Sequence, residues 1–548
     1  MATDPEAILK RYDRLYEQQQ VDRAVWQELA EYILPRKSNI TTKRTPGAKQ
    51  TTRLYDSTAV RANELLAASM QGALTSAAVK WFRLKLRQQE LNEDPEVAAW
   101  LDACTDRMYL AFTQSNLSSE LQEVYLDLGG FGTGCVIEEE RNPNSPTFSG
   151  FIFHSLPVGT YVIAEDAEGR VDTVLREVVL SARAAVAKWG AARVGERIRQ
   201  TLEKKPDDLV TIIHAVYPRE YTRGRTARNK PVASCYVHKD GKHLIAEGGF
   251  DTFPCMVPRW TKTSGEVYGR GPGHTALPDV RTLNRARELT LKAWAKAIDP
   301  PMKQRQDGVI GTAKLAPASL NTVVNMDDLA PIEFKARFDV GKIEEEQLRT
   351  AIRDVFYNSQ LQLPNKTIMT ATEVERVYEL MQRILGPTLG RLEAELLNPL
   401  IERSFDLMLR RGALPEPPPA IYADGEIADI DIEYEGPLSR AQRSSDSQAI
   451  ERTLQLALPI AQVDPEALDA LDLTEVIRYA GQRHGIPPRV VRSEKQIAEI
   501  RSARETERQK VVQQEQMRGM AEMAGKTAPL VKALGPQALG LSAETSAA

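Results

Sequence analysis

Apolar residues fall at three- and four-residue spacing through the first quarter of the chain. They then alternate with polar ones, and later return to helical spacing. Ile8, Tyr12, Leu15, Val25, Leu29 and Ile33 predict helix over 5–34, closed by Pro35. An Ala-rich helix follows at 56–78 and runs into a strand at Trp81-Phe82-Arg83-Leu84. Two more helices are expected within 95–128, around Trp100 and Leu121. Strand signals then take over: Cys135 to Glu139, Tyr161-Val162-Ile163, Val171 to Leu175, Val210 to Tyr217 and Ser234 to Ile245. The last of these folds at Asp240-Gly241, a strong hairpin turn. Ser181 is placed to cap a short helix ending at Trp189-Gly190.

Helical patterning dominates again beyond Tyr268. The segment 268–273 is too rich in Gly and Pro for regular structure, and a helix is expected over 277–298 with Pro278 in its first turn. Its apolar side carries Val280, Leu283, Leu291, Trp294 and Ile298. Arg281, Arg285, Lys292 and Lys296 lie within about 60° of one another on the opposite side, diluted by Glu288. Short β-prone runs follow at 308–311 and 321–325. A second helix over 339–357 shows Leu348, Ala351, Ile352 and Val355 on one face, able to pack against the first as an antiparallel pair. Each helix keeps a long polar flank with little in the sequence to cover it. Such a hairpin belongs beside copies of itself.

After a loop at 359–366, Thr370 and Glu373 match a capping box. The helix they start has an apolar stripe at Val374, Tyr378, Met381, Leu385, Leu389, Leu392, Leu396 and Leu400, and ends near Arg411-Gly412. Gly386-Pro387 is expected to kink it, since the stripe continues in phase. Beyond the prolines at 415–419, Ile430, Ile432 and Tyr434 alternate with Asp429, Asp431, Glu433 and Glu435. This reads as an edge strand with a solvated acidic face rather than a metal site. Residues 438–484 read as helical, with Leu454, Leu458, Leu468, Leu471, Val476 and Ile477 as core candidates. From 493 to 520 the chain is charged and Gln-rich, before an Ala-, Gly- and Pro-containing tail.

Charge adds little bias: 71 basic and 75 acidic residues leave a net −4. A protein that grips DNA tightly usually shows a basic excess, and this chain has none. Locally, 36–53 holds Arg36, Lys37, Lys43, Arg44, Lys49 and Arg53 with no acid. It reads as a solvated arm, or as one reaching another subunit or DNA. Cys104, Cys135, Cys235 and Cys255 lack zinc-type spacing and are expected as buried thiols. No run has the apolar length of a membrane span, and the N-terminus lacks signal-peptide character, so a cytoplasmic origin is expected. Gly129 to Gly134 lacks a phosphate-loop register and is expected as a helix-to-strand turn. The segment from Gly519 to Thr527 has five residues between its glycines where a Walker motif needs four. The six histidines form no HExxH pair, and His238 and His243 are expected as exposed strand residues beside their turn. No catalytic or metal residue and no cofactor is assigned.

The order of these parts resembles the portal, or head-to-tail connector, proteins of short-tailed bacteriophages. The matching stretches are Trp81-Phe82-Arg83-Leu84, Phe131-Gly132-Thr133-Gly134, Val267 to Pro272, and above all Met369-Thr370-Ala371-Thr372-Glu373-Val374 with the helix after it. The resemblance implies an α+β, predominantly helical portal fold that assembles as a ring around a central channel. It names the parts as a wing at 1–276 carrying the basic loop 36–53, a first stem helix at 277–298, a clip at 299–336 and a second stem helix at 337–358. A channel loop at 359–369 follows, then the long kinked helix and return strand of the wing at 370–435, a crown at 436–490 and a C-terminal helix and tail at 491–548. It implies a non-enzymatic homo-dodecamer at a capsid vertex, assembled in the bacterial cytoplasm. Double-stranded DNA would be packaged and ejected through the bore. The implied partners are the terminase large subunit, a tail adaptor, capsid and scaffolding proteins, and internal core proteins at the crown. Lys366, then Arg281, Arg285, Lys292 and Lys296, are the candidates for DNA contact. The stripe has a competing reading as salt-bridge partner of Glu344 to Glu346 on an adjacent stem helix. A helical DNA-processing enzyme and a scaffold without a channel are the alternative functions.

Overall fold

The N-terminal stripe forms two helices in the computed structural model, α1 (Pro5–Gln18) and α2 (Gln20–Tyr32), rather than one. At the break, the Gln19 side chain turns inward and donates to the Tyr161 carbonyl and the Tyr268 hydroxyl, 3.0 and 2.7 Å away. The structure describes residues 4–42, 47–48, 54–77, 79–92, 94–143, 145–219, 230–306, 308–313, 320–325, 327–332, 338–358, 385–423, 426–427, 429–434, 455, 497, 500–510, 513–514 and 516–518. Two compact units divide the chain: Met1–Asn92 with Trp100–Gln448, and Glu93–Ala99 with Ala449–Ala548. In the second unit the helical residues 501–510 are all exposed. The core candidates of 438–484 and the capping box at Thr370 lie outside the described residues.

In the first unit, α3 (Thr58–Leu74) leads to β1 (Phe82–Leu86) and the single turn α4 (Gln89–Asn92). Helices α5 (Pro95–Thr113) and α6 (Leu117–Phe131) follow, and α6 packs on α3. Strands β2 (Val136–Glu140) and β3 (Phe151–Ser155) pair antiparallel, and β9 (Cys255–Met256) adds to β2. Between them lies an antiparallel meander of β4 (Tyr161–Glu165), β5 (Val171–Ser181), β6 (Leu209–Pro218), β7 (Val232–His238) and β8 (His243–Phe250). Alternation gives this sheet two apolar faces. One buries Val162, Leu175, Ile213 and Cys235 under Ile8, Leu9 and Tyr12 of α1. The other meets the β2 sheet through Ile163, Val174 and Val216, and meets α7 (Ala182–Trp189) and α8 (Gly195–Lys204) through Val210, Ile212 and Ile245. Ser181 caps α7 as expected, its hydroxyl accepting the Ala184 amide at 3.2 Å. All four cysteines are buried, and burial pushes the Cys104 and Cys255 thiols up to about 12.

From here α9 (Pro272–Ile298) projects, followed by β10 (Met302–Gln304) paired with β11 (Leu329–Pro331), and then α10 (Phe338–Val355). The β-prone runs at 308–311 and 321–325 meet only in one bridge, Val309 to Val323. The next described residues are a helical stretch at 385–392, a π-helical turn at Glu393–Leu397, and α11 (Asn398–Arg410). Leu385, Leu389, Leu392, Leu396 and Leu400 are buried there, and Gly412 follows at φ 63°. Short strands β12 (Tyr422–Ala423) and β13 (Glu426–Ile427) precede β14 (Ile430–Tyr434).

Several expectations are corrected. Helix α9 starts at Pro272, not 277, so Pro278 lies inside it. Pro272 needs no amide partner at the first helical position, and the neutral His274 ring accepts the Gly271 amide at 3.2 Å. Burial brings that ring down to about 4, which keeps it an acceptor. The acidic face of β14 is not simply solvated. It pairs with β1 in register, where Lys85 bonds Glu433 and Arg87 bonds Asp429 at 3.0 Å. His238 is buried rather than exposed, because the chain folds back over it at Gly241. Its neighbour His243 is exposed as expected.

The helix-to-strand turn after α6 is where α9 is anchored. Gly132 has φ 76°, and a Cβ there would stand 2.3 Å from the Gly271 nitrogen. A Cβ on Gly271 would reach the Leu128 carbonyl at 2.4 Å, and one on Gly273 would reach the Gly130 carbonyl at 2.3 Å. The close approach of main chains, rather than an anion, accounts for these glycines. Replacing Gly271 with Ala is expected to cost about 2–3 kcal/mol by forced overpacking. Gly72→Ala in α3, where a Cβ meets nothing within 4 Å, is expected to gain about 0.5–1 kcal/mol. Thermal melting of both variants reads the contrast.

Candidate functional site

The antiparallel pair of α9 and α10 leaves apolar surface uncovered in a single chain, at Leu289, Ile298 and Ile343. Its inner seam is polar at the centre. Thr290 donates to Glu345 at 3.0 Å, and Arg287 and Arg349 lie 3.6 and 3.2 Å from the same buried carboxylate. Arg349 also reaches Asp56 at 3.0 Å, while the Asn284 side-chain oxygen accepts the Tyr55 amide at 2.7 Å. These contacts tie the hairpin to the start of α3.

Outside this seam the apolar pattern is only partly buried. Val280, Leu283 and Ile352 are in the core as expected. Leu291 and Ile298 are not, and Ile298 keeps 85% of its surface; Ala351 is exposed as well. The expected apolar face is longer than the cover one chain provides. On α10, Ile343, Glu346, Gln347, Thr350, Ala351 and Asp354 line an open groove of about 590 Å³.

The basic stripe of α9 is exposed and partly neutralised within the chain. Arg281 meets Glu28 of α2 at 3.2 Å, while Glu288 binds Arg285 at 2.7 Å and Lys292 at 2.5 Å. Hydrogen bonds from Lys292 and Arg285 hold the Glu288 carboxyl below its usual range. Lys296 lies exposed on α9 beyond them. Lys366 lies outside the described residues, as do Lys43, Arg44, Lys49 and Arg53 of the basic loop. The start of that loop is tied down: Arg36 meets Glu123 at 2.9 Å, Lys37 meets Asp127 at 2.5 Å, and Gln27 accepts the Ile40 and Thr41 amides at 3.0 Å each. Gly386 and Pro387 stand at the edge of the described residues, which do not include 359–384. The irregularity within them is the π turn six residues on.

That π turn belongs to a charged node with no local sequence signal. Arg259, 1% exposed, donates to both oxygens of Glu395 in the π turn, to Glu165 at the end of β4, and to the carbonyls of Gly169 and Val267. Lys262 shares Glu165 at 2.5 Å. A second buried pair joins β2 to α11, where Glu138 accepts the Ser404 hydroxyl at 2.7 Å and lies 3.8 Å from Arg403. Burial dominates there, raising Glu138 to about 7 and lowering Arg403. The side-chain partners in these two nodes are 94 to 266 residues apart in sequence, so only the fold brings them together. Among the described residues, no group of three or more His, Cys, Asp and Glu side chains could hold a metal ion.

The model of the family described as bacteriophage head to tail connecting protein matches residues 5–491 of the 548. The chain therefore belongs to that bacteriophage head-to-tail connecting family. It is 30% identical over 541 residues to a probable portal protein of Bordetella phage BPP-1, covering 96% of this chain and 95% of the relative. It is 28% identical over 540 residues to the portal protein of Salmonella phage epsilon15, with the same coverages. A chain in the neck of an empty GTA particle, computed with C6 symmetry, superposes with a TM-score of 0.34 at 14% identity. That match covers 75% of this chain and 91% of the other, a likeness too low to define the fold.

Arg259→Leu leaves the half-buried Glu395 without its cation and Glu165 with Lys262 alone, and is expected to cost about 1–3 kcal/mol, read by chemical or thermal unfolding. The raised Glu138 carboxyl holds its proton in the folded state at pH values where the unfolded group, at 4.5, has lost it. This group thus contributes stability below about pH 4.5 that fades as pH rises towards 7. Glu138→Gln is expected to remove that decline, seen as the difference between wild-type and variant melting temperatures across the window.

Proposed function

We propose that this chain is a viral portal protein: twelve copies close into a ring at one capsid vertex, and double-stranded DNA passes through the bore during packaging and ejection. The observation that carries the reading is family membership across 5–491, with relatives named as portal proteins aligned over 96% of the chain. The antiparallel α9–α10 pair with its surplus of exposed apolar surface supports placing the stem at 277–298 and 337–358. On that assignment 299–336 is the clip, 359–369 the channel loop, 1–276 with 370–435 the wing, and 436–490 the crown. The chain works as a structural part of the virion, built in the bacterial cytoplasm. The energy for DNA movement comes from a terminase large subunit docked at the clip, later replaced by a tail adaptor. Capsid and scaffolding proteins are further partners, and internal core proteins meet the crown.

A near-neutral chain suits a bore along which phosphates must slide, since each tight phosphate contact adds to the drag on passing DNA. Lys366 in the channel loop is the residue assigned to DNA there, and Gly386 with Pro387 sets the bend of the long helix. At 61.1 kDa per chain, twelve copies give a particle of about 730 kDa. Negative-stain images of the purified protein are expected to show an annulus with a central hole. A compact monomer in solution would overturn the reading, and ATP hydrolysis by the purified chain would turn it towards a DNA-processing enzyme. Lys366→Ala is expected to leave the ring intact and change DNA packaging or retention; an unchanged packaging yield removes the residue from that role.

A further inference from the structure

Among the described residues, two that are not glycine have a left-handed backbone: Lys242 at φ 47° and Tyr357 at φ 58°. Lys242 lies in the exposed turn between β7 and β8, where such a conformation is ordinary. Tyr357 follows the end of α10, and for a bulky aromatic residue this region is an outlier. Helices often stop on a left-handed residue, but glycine or asparagine takes that place at little cost. The run Ala351 to Tyr357 contains no Gly, Pro or Asn that would stop a helix, and Asn358 is already back in helical geometry. The stop is therefore imposed from outside the helix. Phe356 is fully buried, and the Tyr357 amide donates to the Asp354 carbonyl at 2.9 Å, three residues back instead of four. The Tyr357 ring stacks on Trp260, with centroids 6.2 Å apart and planes 26° from parallel. Asn358 is buried, with its side-chain nitrogen set towards the Ala62 carbonyl of α3 at 3.1 Å. Trp260 is itself fixed: it is 4% exposed, and its amide donates to the Gly132 carbonyl at 2.9 Å.

We propose that Trp260 stops α10 by holding Tyr357 left-handed, which makes Tyr357 a hinge with two states. In one the ring is stacked and the helix broken; in the other Tyr357 is right-handed and α10 runs through it. The gain from an aromatic stack and the cost of a left-handed residue other than glycine are of similar size. Neither dominates, so the break depends on the stack being made. The hinge also joins two parts of the molecule, since Trp260 belongs to the junction that anchors α9 and follows Arg259 of the charged node. In the layout proposed above, the channel loop begins at residue 359, so the hinge sets the direction in which the chain enters it. That last step rests on the portal reading; the hinge itself does not.

Glycine tests the hinge, because it takes the left-handed region without strain. Amide hydrogen exchange across 353–358 in the full chain reads the state. A helix running through Tyr357 gives the Asn358 amide an acceptor at the Asp354 carbonyl and slows its exchange. Trp260→Leu and, separately, Tyr357→Ala are expected to slow that amide by about tenfold. Tyr357→Gly is expected to exchange like the wild type, and Trp260→Leu combined with Tyr357→Gly to return to it. Wild-type exchange in Trp260→Leu, or a double variant that fails to return, overturns the hinge. If Trp260→Leu prevents folding, Tyr357→Ala against Tyr357→Gly decides alone, since that side chain is only partly buried; equal exchange in the two overturns the hinge. In DNA packaging, Tyr357→Gly is expected to match the wild type and Tyr357→Ala to fall about tenfold. Equal yields overturn the claim on the direction of the channel loop. A wild-type chain that forms no ring overturns the portal reading, and the exchange result then decides the hinge by itself.

Discussion

Where the turn after α6 meets the first residues of α9, main chain lies directly against main chain. A methyl group on Gly132, Gly271 or Gly273 would come within 2.4 Å of a backbone nitrogen or carbonyl oxygen. This approach sets the direction in which α9 leaves the body. Next to it, Gly269 is held by Thr133, whose hydroxyl accepts its amide at 2.8 Å, and the Trp260 amide donates to the Gly132 carbonyl at 2.9 Å. Arg259 is the residue before Trp260, so the same junction delivers a guanidinium to the π turn of the long helix. A buried guanidinium is tolerated only when its donors are paired, and here the partners come from β4, the π turn and the loops around them. The departure of α9 and the register of the long helix are therefore set in one place.

Across the first unit, charge is largely consumed by internal pairing. The near-neutral total conceals ion pairs that bridge distant segments: Lys37 with Asp127, Arg349 with Asp56, and Arg411 with Glu140. Each links a helix or loop to a separate element. Apolar surface shows the opposite imbalance. The meander between α1 and α7–α8 buries both faces, whereas the α9–α10 hairpin leaves Leu289, Ile298 and Ile343 in water. An unsatisfied apolar surface on an ordered hairpin fits a protein that works as one of several copies.

Much of the fold was legible because its cause is local. The capping serine Ser181, the turn at Asp240-Gly241, the alternation in β5 to β7 and the leucine stripe from Leu385 to Leu400 depend on neighbours a few residues away. Readings failed where a distant contact outweighed the local pattern. Gly-Pro-Gly at 271–273 looked like a loop, yet it begins a helix because the close approach to Gly130 and Leu128 requires small residues there. The acids of β14 looked solvated until their alternation was matched with Arg83, Lys85 and Arg87 on a strand more than three hundred residues earlier. That match was available as a signal, since both runs alternate charge with period two.

Of the candidate site, the two helices, their antiparallel pairing and the basic stripe came from the sequence alone, because helical periodicity places side chains on faces without reference to anything else. The sequence could not say which part of each face is covered, since burial depends on what else the fold brings alongside. Tertiary structure decided that Val280 and Leu283 are core while Leu291 and Ile298 are not, and that Glu345 is the buried centre of the pair. It also decided the Arg259 node, whose partners Glu165 and Glu395 lie 94 and 136 residues away. Periodicity is a property of adjacent residues and survives in the one-dimensional string. Burial and ion pairing are properties of space, and come into being only once the chain has folded.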